Sequence, residues 1–462
     1  MVPDLNMPSE PRFKPELVRK YGGRGDGYAF YPPADRFIEA FDAAAYQVLL
    51  ENRGTGAATK PLALHVHLPF RNIYCHRCAC NTGVSGGRGG AAACLDYLGR
   101  ELRIVAGHMG QDRSVRHMAW SGGALALKDL VTVRQLMQRV RAEFDFDPGG
   151  ECAIEIDPSA TDGEQLGALG DLGFNSASLG VQAFNPRVLR AVERLFDAAR
   201  RNGLRSVGID LAYGLPLQTV RAFSTSLDRI IGCAPDRIAL YSCPELPGVP
   251  GSRRRFSRFD LPLPEERLDM LIIAMERLLG AGYRPVGPDQ FARPDDSRCT
   301  GAGEGRAARA LHDLSMDGNT DVVTLGVAAI SSIGSAYSQN ARTIKEYCGR
   351  LEQHRLPVAR GLELAPDDLI RRAVIQGLRV HGEVSMESVG IAYLVDCKRY
   401  FTAELAALEP LAADGLVDID GEWITATAQG RLLISALCRV FDRYCHDPDR
   451  AGPRSFRQQW ES

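Results

Sequence analysis

The sequence predicts an α/β fold: a TIM-like βα barrel, partial or complete, with an N-terminal arm and a small helical, winged C-terminal domain. Three observations carry that prediction. From about Pro61, short apolar runs alternate with helical patterns, the signature of a parallel sheet. After about Ala341 the alternation gives way to helices around a short two-stranded turn. The chain has 462 residues, too many for one small module and enough for a large α/β domain with appendages.

Taken in order, residues 1–35 are rich in Pro, Gly and Tyr and read as an arm, extended on the body or trailing as a tail. Residues 36–345 form the barrel. Strand-like runs fall at Leu62–Leu68, His117–Ser121, Cys152–Asp157, Ser176–Val181, Ser206–Leu211 and Arg237–Ser242. Helical patterns fall between them at Asp96–Ala106, Leu130–Glu143, Gly163–Leu172, Pro186–Asn202 and Val220–Ile231. A helix at Pro264–Gly280 and a strand near Val322–Gly326 extend the series. Residues 346–462 form the last domain, with helices at Asp367–Val380, Tyr400–Asp414 and Gln429–Tyr444. Between the last two, LVDIDGEWITAT reads as a hairpin turning at Asp420-Gly421.

Composition narrows the function. Lys plus Arg number 55 and Asp plus Glu 57, so no global field favours nucleic acid or an anionic membrane. No basic stripe marks the winged segment, so packing is expected of it rather than DNA binding. The first residues have no apolar core of a signal peptide, and Val322–Gln339 is broken by Gly326 and Gly334. A cytoplasmic protein without a membrane span is expected. The 12 cysteines are too sparse for a disulfide scaffold, but Cys75, Cys78 and Cys80 fall together. Such thiols point to metal or cluster ligands. The glycine run Gly83–Gly90 is no phosphate loop, having no Gly-Lys-Ser/Thr.

The segment HVHLPFRNIYCHRCACN (His65–Asn81) stands where the first barrel strand ends, the end at which βα barrels place their chemistry. It resembles the cluster loop of oxygen-independent coproporphyrinogen III oxidases, radical S-adenosylmethionine enzymes with the loop H-I-P-F-C-x-x-x-C-x-x-C-x-C-N. LVRKYGGRGDGYAFYPPA, WSGGALALKDL, AIEIDP, LGFNSASLGVQAFN, IDLAYGLPLQT, FARPDD and GNTDVVTLGVAAIS resemble further family segments in the same order. The resemblance implies a [4Fe–4S] cluster on thiolates, Cys75, Cys78 and Cys80 here, with one iron open to S-adenosylmethionine. It implies cofactor contacts at His65, Arg77, Gly122, Gly123, Ala124, Glu155, Gln182, Arg194, Asp210, Pro244 and Ile330. Of these, Gln182, Arg194 and Asp210 match residues that hold a second cofactor molecule.

Glu155, Gln182 and Asp210 are expected on or just after the third, fourth and fifth strands, on one rim. An acid, an amide and an acid there can bind amino and ribose hydroxyl groups; ordinary end-of-strand polarity is the alternative. The implied reaction is radical hydrogen abstraction from a propionate of coproporphyrinogen III, which loses CO2 and an electron to become vinyl. The implied partners are a tetrapyrrole substrate and a reductant protein, and a monomer is expected.

The chain departs from the family at several points. Aligned on H-x-P-F, Arg71 replaces the first cluster cysteine, and a guanidinium cannot ligate iron. Arg77 and Ala124 replace family residues, and the segment Arg309–Leu314 is rewritten. An altered loop with free thiols, or zinc on these cysteines with His76, is the alternative to a cluster. It corresponds to a catalytically impaired paralogue that binds haem, a porphyrin or S-adenosylmethionine. An enzyme of the same mechanism on another substrate is a further alternative.

Overall fold

The computed structural model describes residues 14–22, 30–53, 60–68, 88–110, 112–121, 130–159, 161–181, 186–242, 260–287, 289–296, 299 and 320–446. The chain opens with α1 (Pro15–Tyr21) and α2 (Ala43–Asn52). Six βα steps follow: β1 (Leu62–His67), α3 (Arg88–His108), β2 (Ser114–Ser121), α4 (Leu130–Glu143), β3 (Asp145–Ile156), α5 (Gly163–Asp171), β4 (Ser176–Val181), α6 (Pro186–Arg201), β5 (Ser206–Tyr213), α7 (Val220–Gly232), β6 (Arg237–Ser242) and α8 (Pro264–Gly280). Next come β7 (Arg284–Gly287), β8 (Gln290–Ala292), β9 (Asp321–Leu325), β10 (Ile330–Ile333), β11 (Ala336–Asn340), α9 (Ile344–Glu352) and β12 (Val358–Glu363).

These strands form one sheet in the order β12-β11-β10-β9-β1-β2-β3-β4-β5-β6-β8-β7. Strands β1 to β6 lie side by side in chain order and are parallel, as helical crossovers require. Strand β9 adds parallel to β1, and β8 adds antiparallel to β6. Among the described residues β7 and β12 do not pair with each other, so the barrel is partial. The expected boundary at residue 345 falls after β11, and the sheet continues past it through β12 to Glu363. The third strand starts seven residues before its apolar run, because Ser114 and Val115 pair with Asp145 and Phe146 before a register shift.

The helices form where the sequence caps them. Asp162 closes a reciprocal capping box with Gln165 at α5, and the Thr219 hydroxyl accepts from the Ala222 amide at α7. Their apolar faces pack on the outer side of the sheet. Leu98, Leu102, Val133, Leu136, Leu195 and Phe223 join Leu64, Trp120, Ile154, Leu179 and Ile209 in one core.

The C-terminal domain contains α10 (Pro366–His381), β13 (Glu383–Ser385), α11 (Met386–Tyr393), α12 (Cys397–Tyr400), α13 (Thr402–Ala413), β14 (Val417–Ile419), β15 (Trp423–Ala426), α14 (Ala428–Leu432) and α15 (Ile434–Phe441). Its three strands form a small antiparallel sheet in the order β13-β15-β14. The expected hairpin turns at Asp420-Gly421: the Asp420 carboxylate accepts from the Trp423 amide at 2.8 Å, and Gly421 takes φ 92°. Two helices read as continuous are interrupted: Tyr400–Asp414 at Phe401, and Gln429–Tyr444 at Leu433 and again at Asp442. The N-terminal arm lies on the body where it is described. Arg19 pairs with Asp269 of α8 at 2.7 Å, and Lys20 with Asp414 at 2.5 Å. The Phe37 ring stacks on Tyr337, with centroids 5.8 Å apart.

Among the described residues no helix is long and apolar enough to cross a membrane. The described cysteines are all free thiols.

Candidate functional site

Side chains of a strand point alternately to its two faces, so the register of the parallel strands sorts their residues. One face is apolar and buried under the helices: Leu64 and Val66, Met118 and Trp120, Ile154 and Ile156, Leu179 and Val181, Ile209 and Leu211. The other face carries His65, Ala119, Ala153, Glu155, Ser178, Gly180, Gly208, Asp210, Ala239 and Tyr241. Closed barrels fill that side with bulky branched residues. Here, among the described residues, it carries small and polar groups, a surface that suits a polar ligand.

The polar groups are organised across strands. On β1 and β2, His65 Nε2 lies 2.8 Å from Ser121 Oγ, and His67 Nδ1 lies 3.4 Å from the same oxygen. The two imidazoles meet edge to face, 6.3 Å between centroids. On β4, β5 and β6, the Ser178 hydroxyl donates to Asp210 Oδ2 at 2.6 Å and the Tyr241 hydroxyl to Oδ1 at 3.3 Å. These donors hold the Asp210 carboxylate in one orientation. Glu155 pairs in register with Ser178, and a Cβ built on Gly180 would stand 3.8 Å from its Oε1. Glu155, Ser178, Asp210 and Tyr241 therefore share one surface toward the C-terminal ends of neighbouring strands. All four are half-buried, unlike the apolar face. Nearer the start of β6, Arg237 joins Glu151 at 2.5 Å and Asp296 at 2.9 Å, closing the concave side with a buried ion triad.

A second network fixes the connection between β9 and β10. Glu101 of α3 is 1% exposed. Its Oε2 accepts from the Gly326 amide at 2.8 Å and from the Tyr347 hydroxyl at 2.5 Å; its Oε1 accepts from Asn340 Nδ2 at 2.6 Å. The same Asn340 nitrogen donates to the Gly326 carbonyl at 2.9 Å. Burial pushes the Glu101 carboxyl up to about 7, against the lowering effect of its hydrogen bonds. Gly326 has φ 121°, and a Cβ there would fall 2.3 Å from the His67 carbonyl oxygen. Glu101 thus holds the segment after β9 against the end of β1, where the cysteine loop begins.

Several expected residues come together and others do not. His65, Glu155 and Asp210 are on the concave face. Arg194 stands exposed on α6, in the outer helical layer, because Pro186–Arg201 is one continuous helix whose Leu195 and Phe196 face the core. Ile330 opens β10, half-buried, and packs on Phe37, Tyr337 and Leu364. Arg71, Cys75, Arg77, Cys78, Cys80, Gly122, Gly123, Ala124, Gln182 and Pro244 lie outside the described residues. Sequence reasoning missed Ser121, Ser178, Tyr241 and Glu101. The small-polar alternation Ser176, Ser178, Gly180 was the available signal for an inward-facing β4.

Comparison with known proteins shows the family. Residues 364–433 match the family model of the HemN C-terminal domain. The chain is 38% identical over 444 residues to the oxygen-independent coproporphyrinogen III oxidase of Pseudomonas aeruginosa, covering 94% of this chain and 96% of the relative. The Escherichia coli protein of the same name is 35% identical, with the same coverage. The solved structure of E. coli coproporphyrinogen III oxidase (HemN), titled a radical SAM enzyme, superposes with a TM-score of 0.82 at 33% identity, over 94% of this chain and all of that one. The chain belongs to the oxygen-independent coproporphyrinogen III oxidase family.

Proposed function

We propose that this protein performs the anaerobic oxidative decarboxylation of coproporphyrinogen III propionates to vinyl groups, a step of porphyrin synthesis. The observation that carries the reading is the polar concave surface, with Asp210 oriented by Ser178 and Tyr241 and with Glu155 beside it, in a chain of this family. The surface suits S-adenosylmethionine. A carboxylate at Glu155 can take the ammonium, and the Asp210 carboxylate can accept from ribose hydroxyls.

Cys75 and Cys78, with Cys80 as a third thiolate, are the residues that would hold the cluster. When bound, the [4Fe–4S] cluster and S-adenosylmethionine supply the one-electron chemistry that begins hydrogen abstraction from a propionate. The chain's own part is to position. Ser178 and Tyr241 fix Asp210, Ser121 engages both histidines of β1, and Glu101 holds the 326–330 segment beside them. The helical layer seals the apolar face from water.

Arg71 favours a second reading, in which the protein binds S-adenosylmethionine or a porphyrin without turnover. One experiment separates the two. The anaerobically reconstituted protein is given dithionite, S-adenosylmethionine and coproporphyrinogen III. Vinyl product with CO2 and 5′-deoxyadenosine supports the enzyme. Binding of S-adenosylmethionine with none of the three products would support the paralogue.

A further inference from the structure

A cleft of about 490 Å³ lies at the start of β1, between the β10–β11 turn and α10. Lys60, two residues before β1, is on its wall, so it opens at the opposite end of the strands from His67 and Ser121. Its lining includes Arg372, Lys60 and His381 and has apolar walls at Leu369, Val380 and Tyr393; among the described residues no Asp or Glu lines it.

Arg372 is the unusual member. It is 7% exposed. Two other arginines of low exposure are clamped between carboxylates: Arg53 by Asp112 and Asp321, Arg237 by Glu151 and Asp296. Arg372 instead donates to the Gly334 carbonyl at 3.3 Å and lies over the Tyr337 ring, 5.9 Å from its centroid. Asp368, one helical turn earlier, is engaged by the Tyr444 hydroxyl at 3.0 Å and by Arg443 at 3.5 Å. Among the described residues no carboxylate pairs with Arg372. A guanidinium withdrawn from water without an anion is costly, and a planar oxyanion is the group that relieves it.

We propose that this cleft is a second binding site, for an organic carboxylate. The carboxylate takes the Arg372 guanidinium, and the apolar body lies on Leu369, Val380 and Tyr393. A ligand bound there touches both the barrel and α10 of the C-terminal domain, so its site is separate from the concave surface.

The test uses the full chain with phenylpropionate as the probe and inorganic phosphate as the comparison, followed by calorimetry and thermal melting. Wild type binds phenylpropionate and melts higher with it, and binds phosphate more weakly. Arg372→Met lowers phenylpropionate affinity about tenfold or more, with no loss of melting temperature in the free protein. Val380→Trp fills the cleft without touching the guanidinium and also removes binding. Asp210→Asn leaves binding intact. The proposal is overturned if wild type does not bind at millimolar probe, if both cleft variants bind like wild type, or if Asp210→Asn abolishes binding. Phosphate binding as well as phenylpropionate would overturn the assignment to an organic carboxylate.

Discussion

Glu101 offers the sharpest test of how the fold holds the segment after β9 against the end of β1. The perturbation is Glu101→Gln. In the closed structure burial raises this carboxyl from 4.5 to about 7. The closed state therefore binds the proton more tightly than the open one. The stability it contributes is fully present below the ordinary value and is lost as pH rises through about 7. The shift corresponds to about 3 kcal/mol at full titration. Glutamine cannot titrate. Its amide must also point N–H toward either Asn340 Nδ2 or the Gly326 amide, both donors, and turning Asn340 over would lose its bond to the Gly326 carbonyl. One buried donor is left unmatched, at roughly 1–3 kcal/mol.

The assay is amide hydrogen exchange at Gly326, corrected for the intrinsic pH dependence of exchange. Cys94, Tyr46 and Tyr347, which face Glu101, do not titrate in this window. Burial pushes Cys94 up to about 12, and Tyr46 and Tyr347 are raised well above their ordinary value. Wild-type protection should fall by roughly a hundredfold between pH 5 and 8, since about 3 kcal/mol is two powers of ten. The variant should be less protected at low pH and flat across the range. Equal pH dependence in both proteins would refute the reasoning.

Three other outcomes follow from the same geometry. Gly326→Ala places a Cβ 2.3 Å from the His67 carbonyl oxygen at φ 121°, and should cost about 2 kcal/mol or more of local stability, read by exchange of the same segment. Asp210→Asn keeps the shape but loses the charge that Ser178 and Tyr241 orient, and should weaken S-adenosylmethionine binding about tenfold with little change in melting. Arg237→Met leaves Glu151 and Asp296 facing each other without their cation, at about 3 kcal/mol. That loss should change little between low and high salt, because the triad is largely buried.

Strands β1 to β6 were legible because each is an apolar run of strand length between helical patterns. Strands β10, β11 and β12 were not. ISSI, AYSQN and VARGLE carry serines, amides and charges and give no apolar run of strand length, yet Ser331, Ser338, Gln339 and Asn340 are buried in the sheet. Tertiary partners make that tolerable: Ser331 bonds the backbone of Thr324, Gln339 the Ala328 carbonyl, and Asn340 the Glu101 carboxylate. The site divides in the same way. His65, Glu155 and Asp210 could be placed from strand position alone. The bonds from Ser178 and Tyr241 to Asp210 depend on cross-strand register, which the sequence does not spell out. Glu101 lies 225 positions before Gly326, and no local pattern joins them. Arg194 shows the opposite limit: its helix was legible, but not the face of that helix that carries it to the outer layer.

The central claim is that this chain runs the family's chemistry despite Arg71, and cluster assembly tests it most directly. The measurement is the reduced-state EPR spectrum, with iron and sulfide content, after anaerobic reconstitution of the wild-type protein. The account predicts a [4Fe–4S] signal that shifts when S-adenosylmethionine is added, held by Cys75, Cys78 and Cys80. A wild-type protein that takes up no cluster, while Arg71→Cys prepared identically gives the full signal, would contradict it.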